Sequence, residues 1–242
     1  RVSLFSGQPL KAWKTAVKRD RRVTGDMTKS IPKRAGRPEG KTNLADKILD
    51  ESELLFAEQG YSGTSLRRVA DRLDVNPAMT AYYFKNKENL FREVFLRRGL
   101  EVADARMQQL EKLINSGTFK IDDLARAFLE PSAKLMANKQ GRAFLRLHAR
   151  LHMEPEPFSF ALRREVYDES TRAYVEAVCD VLPGQSKAKI YQKMSLMIGA
   201  YLYAFSDTNR LKELAMSEEA TKDLLETTVA FVVGGFLSFT SD

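Results

Sequence analysis

Residues 65–84 read SLRRVADRLDVNPAMTAYYF, two short helical patterns parted by a turn too tight to join a pair of strands. Leu66, Val69, Ala70 and Leu73 recur at helical spacing and give the first segment one apolar face, with Thr64 or Ser65 as its N-cap. The turn Leu73-Asp74-Val75-Asn76 has to reverse the chain, and Asp is among the few non-glycine residues that tolerate a positive φ. Asn76 then caps the second segment and Pro77 takes its first position, where a missing N–H costs nothing. On that segment Thr80 and Phe84, four apart, form the inward stripe and leave Pro77, Ala78, Ala81 and Tyr82 facing out. Small side chains beside one aromatic suit a DNA major groove: they allow close approach, apolar contact with thymine methyls and a hydroxyl within reach of phosphate. The pattern is that of a helix-turn-helix. Periodicity alone does not separate a DNA reader from two helices that merely pack.

The surroundings separate them further. From Ile48 to Val94 the chain reads ILDESELLFAEQGYSGTSLRRVADRLDVNPAMTAYYFKNKENLFREV. It carries Leu55-Phe56 near the end of a first helix, a Gly60-Tyr61 break, Thr64-Ser65, Val69-Ala70, Tyr82-Tyr83-Phe84, then Lys87-Glu88 and Leu90. At this spacing the run resembles the tetracycline-repressor family of bacterial transcription regulators. The resemblance implies an all-α protein: an N-terminal three-helix DNA-binding domain joined by a long helix to a helical effector-binding and dimerisation domain. Two positions depart from the family pattern. Asp74 stands where the family usually has glycine. Ala81 stands where it often has tyrosine, which moves one expected contact to Tyr82. In the family the lysine matching Lys87 touches a phosphate. The expected DNA-facing set is Arg34, Arg37, Lys41, Thr64, Ser65, Arg67, Asn76, Pro77, Ala78, Met79, Ala81, Tyr82, Tyr83 and Lys87.

At 242 residues with 43% hydrophobic composition, the chain is long enough for two domains and a sizeable core. The net charge of +7 is unevenly spread: residues 1–41 hold 12 Lys or Arg against 3 Asp or Glu, while the other 201 hold 27 against 29. A near-neutral body with a cationic extension fits a protein that meets phosphate on one side. Residues 1–40 contain Pro9, Pro32, Pro38 and four glycines among scattered charges and read as a disordered basic arm. Within it, Lys33-Arg34-Ala35-Gly36-Arg37-Pro38 has the composition of an extended segment that slips arginine into the narrow minor groove of A·T-rich DNA. A solubilising tail has a similar composition. The chain does not open on methionine, and Met27 lies just ahead of this segment, so residues 1–26 are expected to precede the functional start. The lone cysteine, Cys179, makes no internal disulfide and reads as a small buried residue in a reducing, cytoplasmic setting. No run approaches about 18 consecutive apolar residues, and residues 1–26 lack the apolar core of a secretory signal.

The helical periods predict a first helix from Thr42 or Asn43 to Gly60 and a long one from about Lys87 to Asn115, capped by Asn86. Five more follow near 121–138, 140–153, 159–182, 186–205 and 217–238, with Pro131 kinking the first of them. Residues 41–98 are expected to form the DNA-binding domain and 99–242 the second domain.

No nucleophile elbow, phosphate loop or dinucleotide fingerprint appears, so no enzyme mechanism and no cofactor are expected. His148 and His152 share a helix face with Glu154 close by. They are the only histidines and there is no cysteine cluster, too few ligands for zinc. Phe128, Met136, Phe144, Leu147, His148, Leu151, Tyr167, Tyr174, Met194, Met197 and Tyr201 are candidates for the wall of an adaptable apolar pocket, and a solid core has the same composition. The family resemblance favours the pocket, with a small, mostly apolar effector. Helix 227–237 is apolar nearly all round, which demands burial on more than one side. The resemblance assigns that burial to a homodimer, through Ile198, Tyr201, Leu202, Phe205, Val229, Val232, Val233 and Phe236. A monomeric helical protein with a purely structural helix-turn-helix is the competing expectation.

Overall fold

A computed structural model of the chain describes residues 39–152, 158–206, 214 and 223–238. By its contacts the chain divides into Arg1–Asn43 and Leu44–Asp242. Of the first unit, residues 39–43 are described, as helix. Arg34 and Arg37 lie outside the described residues, as does the side chain of Lys41.

The described residues form α-helices joined by short turns, with no strand among them. They are α1 (Glu39–Gly63), α2 (Leu66–Arg72), α3 (Pro77–Phe84), α4 (Lys87–Ser116), α5 (Ile121–Lys134), α6 (Lys139–Leu151), α7 (Phe158–Val181), α8 (Lys187–Phe205) and α9 (Leu224–Leu237). Helix α1 therefore begins before Thr42 and runs past Gly60. The expected break is nonetheless there: Gly60 has φ 73° and ψ 178°, a conformation essentially restricted to glycine, and one further turn follows it. Pro131 sits inside α5 without ending it; four residues later the helix tightens into a 3₁₀ turn, Leu135–Ala137. Of the stretch expected over 217–238, residues 224–237 are helical and 217–222 lie outside the described residues.

Side-chain caps set the starts of several helices. Asn86 Oδ1 accepts from Asn89 N at 2.8 Å to open α4, Asn138 does the same for Gly141 N at 2.7 Å, and Ser186 Oγ accepts from Lys189 N at 3.3 Å. At the far end of α4, Gly117 adopts φ 81° and reverses the chain.

Within residues 44–242 one continuous core runs from α1–α3 through the first half of α4 into α6 and α7. Phe56 meets Phe91 edge-on at 4.9 Å. Phe91 in turn meets Phe158, the first residue of α7, at 5.7 Å, and Phe95 meets Phe144 at 5.6 Å and Tyr167 at 6.1 Å. Helix α4, about 45 Å long at 1.5 Å per residue, is thus shared by the motif and the helices beyond it. Polar ties follow the same seams. Glu53, fully buried on α1, receives Arg97 at 3.3 Å and Arg98 at 3.2 Å from α4. Burial raises its carboxyl above the ordinary range, against the opposing pull of the two arginines. Arg92 of α4 pairs with Glu165 of α7 at 2.5 Å, and Arg126 of α5 with Glu226 of α9. Lys193 of α8 donates to the carbonyls of Phe236 and Ser238 at 2.9 and 2.7 Å, closing the C-terminus of α9 against α8.

Candidate nucleic-acid interface

The α2–turn–α3 unit is built from local signals. Ser65 caps α2, its Oγ accepting from Arg68 N at 3.2 Å. Val69 and Ala70 bury the inner face. Asp74 takes φ 53° in the turn, and Val75 N returns to Ala70 O at 3.0 Å. Asn76 Oδ1 accepts from Ala78 N at 2.9 Å, and Pro77 occupies the first turn of α3. Thr80 is fully buried, and its hydroxyl lies 3.1 Å from Leu66 O and 2.8 Å from Pro77 O, which holds α3 on α2. Phe84 buries the other end.

What α3 presents to solvent is Pro77, Ala78, Ala81 and Tyr82, with Met79 and Tyr83 half-buried at its flanks. Tyr82 is 69% exposed, and its ring meets that of Tyr83 edge-on at 5.4 Å. Ser65, Arg67 and Asn76 are exposed beside this face. Lys87, at the N-terminus of α4, donates from Nζ to Tyr61 O at 3.1 Å and stands 4.3 Å above the Tyr61 ring. The result is a narrow, small-sided ridge with one projecting phenol and cations at its base. Thr64 departs from the expectation. It is buried, its hydroxyl donating to Gly60 O at 3.0 Å, so it secures the α1 break and is withdrawn from the exposed face.

The profile of bacterial regulatory proteins of the tetR family matches residues 48–94, and that of the tetracyclin repressor-like C-terminal domain matches residues 126–235. The chain belongs to the tetracycline-repressor family. Among its relatives in that family, the probable HTH-type transcriptional regulator YttP of Bacillus subtilis is 46% identical over 50 residues, 21% of this chain and 24% of YttP. The biofilm operon icaADBC HTH-type negative transcriptional regulator IcaR of Staphylococcus aureus is 25% identical over 129 residues, 52% of this chain and 62% of IcaR. The chain thus spans between 24% and 62% of the length of these curated relatives. Among solved structures, the hemolysin II transcriptional regulator HlyIIR aligns with a TM-score of 0.59 at 22% identity, covering 79% of this chain and 97% of HlyIIR. A tetR-family regulatory protein from Rhodococcus RHA1 aligns at 0.57 and 18% identity, over 82% and 98%. At such identities the likeness is one of fold.

The C-terminal half of this tetracycline-repressor relative places the remaining site residues. Phe128, Phe144, Leu147, His148, Leu151, Tyr167, Tyr174, Met194, Met197 and Tyr201 are all buried, and Met136 is half-buried. The aromatic members pack on one another: Phe128 meets Tyr174 at 5.0 Å and Tyr201 at 6.2 Å, and His148 stacks on Tyr167 at 4.9 Å. Two hollows border α8. One, of about 600 Å³, takes Met194 from that set and adds His152, Arg163, Thr171, Tyr191 and Ser195. Burial holds His148 neutral well below its ordinary pKa and pushes His152 down to about 4, aided by Arg163, whose Nη1 lies 3.0 Å from His152 Nδ1. Among the described residues no group of three or more His, Cys, Asp or Glu gathers as metal ligands, and no helix is long and apolar enough to cross a membrane.

The expected dimer residues need a correction. Tyr201, Leu202, Phe205, Val229, Val232, Val233 and Phe236 turn into the chain's own core, and Ile198 is half-buried. The opposite stripe is outside: Leu196 (73% exposed), Gly199 and Tyr203 on α8, and Ala230, Phe231 (74%), Gly234, Gly235 and Leu237 on α9. Leu196, Gly199, Ala230, Phe231, Gly234 and Gly235 line the second hollow, of about 750 Å³, together with Met197, Val232 and Phe236. A helix apolar on every side carries no periodic signal of which side turns inward.

Sequence reasoning also passed over Arg106, one of the largest fully buried side chains. It stands four residues from both Val102 and Leu110, and that spacing alone would have put it on the inner face of α4.

Proposed function

We propose that the protein is a sequence-specific, homodimeric transcriptional repressor, released from its operator by a small effector bound in the C-terminal half. The observation that carries this reading is the construction of α3. It is capped by Asn76, pinned by Thr80 and Phe84, and leaves only Pro77, Ala78, Ala81 and Tyr82 to meet a partner. A helix so held, with short side chains outward, suits the major groove, and Lys87 and Arg67 stand where phosphates would flank it. The basic arm adds sequence-independent affinity.

Dimerisation is supported by the exposed stripe on α8 and α9. Leu196 and Phe231 are exposed on one shared hollow, and a methyl group added to Gly199, Gly234 or Gly235 would meet nothing within 4 Å. Small residues on an open face let a second copy's helices approach closely, and a two-fold pair carries two recognition helices to half-sites about 34 Å or somewhat more apart. A difference of about 1–3 kcal/mol between two head separations changes operator affinity about 5- to 150-fold, which suffices for release. Repression is supported by the description of IcaR as a negative regulator. The test is a mobility shift on DNA upstream of the neighbouring genes. A discrete complex that survives excess non-specific competitor is expected, and uniform loss to competitor contradicts the proposal.

A further inference from the structure

Arg106 lies on α4 in the interior, 1% exposed. Its Nε donates to Phe128 O at 2.9 Å and its Nη2 to Ser132 Oγ at 3.0 Å, two neutral acceptors. The guanidinium lies 3.8 Å above the Phe128 ring and 5.2 and 5.7 Å from the Tyr201 and Tyr167 rings. Among the described residues no carboxylate pairs with it. Arginine does not neutralise itself by losing a proton, so a full positive charge sits among aromatic faces. Two further polar atoms of the same cluster, His148 Nε2 and Tyr167 Oη, are buried without a hydrogen-bond partner, on rings stacked 4.9 Å apart. A buried charge without a counter-ion is costly to desolvate, a cost that a core arranged for stability alone would avoid.

A small anion would serve this cluster, its oxygens accepting from the guanidinium and from the Tyr167 hydroxyl, which has no partner of its own. Burial keeps that phenol protonated, hence a donor. The surroundings suit an apolar body, with Phe95 5.5 Å and Phe144 5.7 Å from His148. His152, one helical turn beyond His148 and 5.2 Å from it ring to ring, stands in the wall of the 600 Å³ hollow. We infer that the effector is a compact apolar or aromatic monocarboxylate, its carboxylate held by Arg106 and Tyr167 and its body lodged among the aromatic side chains around His148. This rests on reading the C-terminal half as the effector-binding part.

Such a ligand would act on α4 directly. At Gly99 that helix leaves α7 so little room that an added Cβ would meet Val166 Cγ1 at 2.8 Å and Tyr167 Oη at 3.3 Å. A carboxylate wedged at Tyr167 presses on the helix whose other end carries the motif.

The test is calorimetric titration of the full chain with benzoate, phenylacetate and cyclohexanecarboxylate, and with the corresponding amides. Saturable binding of at least one acid is expected, with each amide weaker by tenfold or more. Arg106→Met should abolish binding in a chain that still melts cooperatively. Tyr167→Phe, which keeps the packing and removes only the hydroxyl, should weaken binding about tenfold without lowering the melting temperature. Absence of binding by every acid, amides that bind as well, or undiminished binding by Tyr167→Phe overturns the inference. Operator binding is read on the same samples by mobility shift. A chain that holds DNA but no carboxylate loses this inference and keeps the proposed function, whereas one that binds carboxylates and no DNA does the reverse.

Discussion

Thr80 shows how much of the recognition helix hangs on single atoms. Its hydroxyl lies within hydrogen-bond distance of Leu66 O on α2 and of Pro77 O on its own helix, in a fully buried position. Thr80→Val keeps the shape and leaves both carbonyls without that donor. The expected cost is about 0.5–1.5 kcal/mol, read as a melting temperature lower by about 2–4 °C per kcal/mol in a chain of this size. An unchanged melt would mean the bond does not hold α3. The histidines set an acid limit. His152 has its pKa pushed down to about 4 by burial and by Arg163, whose guanidinium faces Nδ1. A depressed folded-state value means that its contribution is fully present above about 6.5 and is lost as pH falls toward 4, because the unfolded chain takes up the proton first. His148 acts in the same direction. Melting temperature should therefore fall between pH 6.5 and 4, and His152→Gln should flatten part of that slope. Parallel curves for parent and variant would refute the assignment.

At the scale of the element, what the sequence made legible and what it hid have one physical cause. The motif was legible because its signals are local. Ser65, Asn76 and Pro77 each fix a helix start by their own chemistry, and Asp74 tolerates the turn's φ of 53°. The inward stripe of Thr80 and Phe84 then followed from period alone. Helix α9 was illegible in the respect that matters, because Val229, Val232, Val233 and Phe236 on one side and Ala230, Phe231 and Leu237 on the other are all apolar. Only packing decides which stripe the chain keeps for itself. Likewise the aromatic set around His148 has one composition whether it is solid or hollow. Arg106 was hidden by its type, since a cation inside a helix pattern is ordinarily taken for a solvated position. The outward stripe of α9 carries its own prediction. Phe231→Arg adds a charge to an exposed side chain, so the fold should stand and the proposed dimer should fall apart, with light scattering giving the mass of one chain. A dimer that persists would place the interface elsewhere.

At the scale of the whole molecule the proposal is mechanical. One helix, α4, begins under the motif at Lys87 and passes the aromatic residues of the C-terminal half at Arg106, and one apolar core follows its first half. Arg92–Glu165 and the Phe91–Phe158 contact tie that helix to α7 near the motif, and Arg106 ties it to α5 further along. An effector that shifts the packing between α4 and α7 therefore bears on the position of α3. The central claim is narrower, that the outward face of α3 reads DNA. A DNase I footprint on the operator, made with the parent chain and with Tyr82→Ala, tests it most directly. The parent should protect a pseudo-palindrome of two half-sites, and the variant, dimeric and equally stable by light scattering and melting, should lose that protection at the same concentration. A variant that protects the same sequence at unchanged affinity would contradict it.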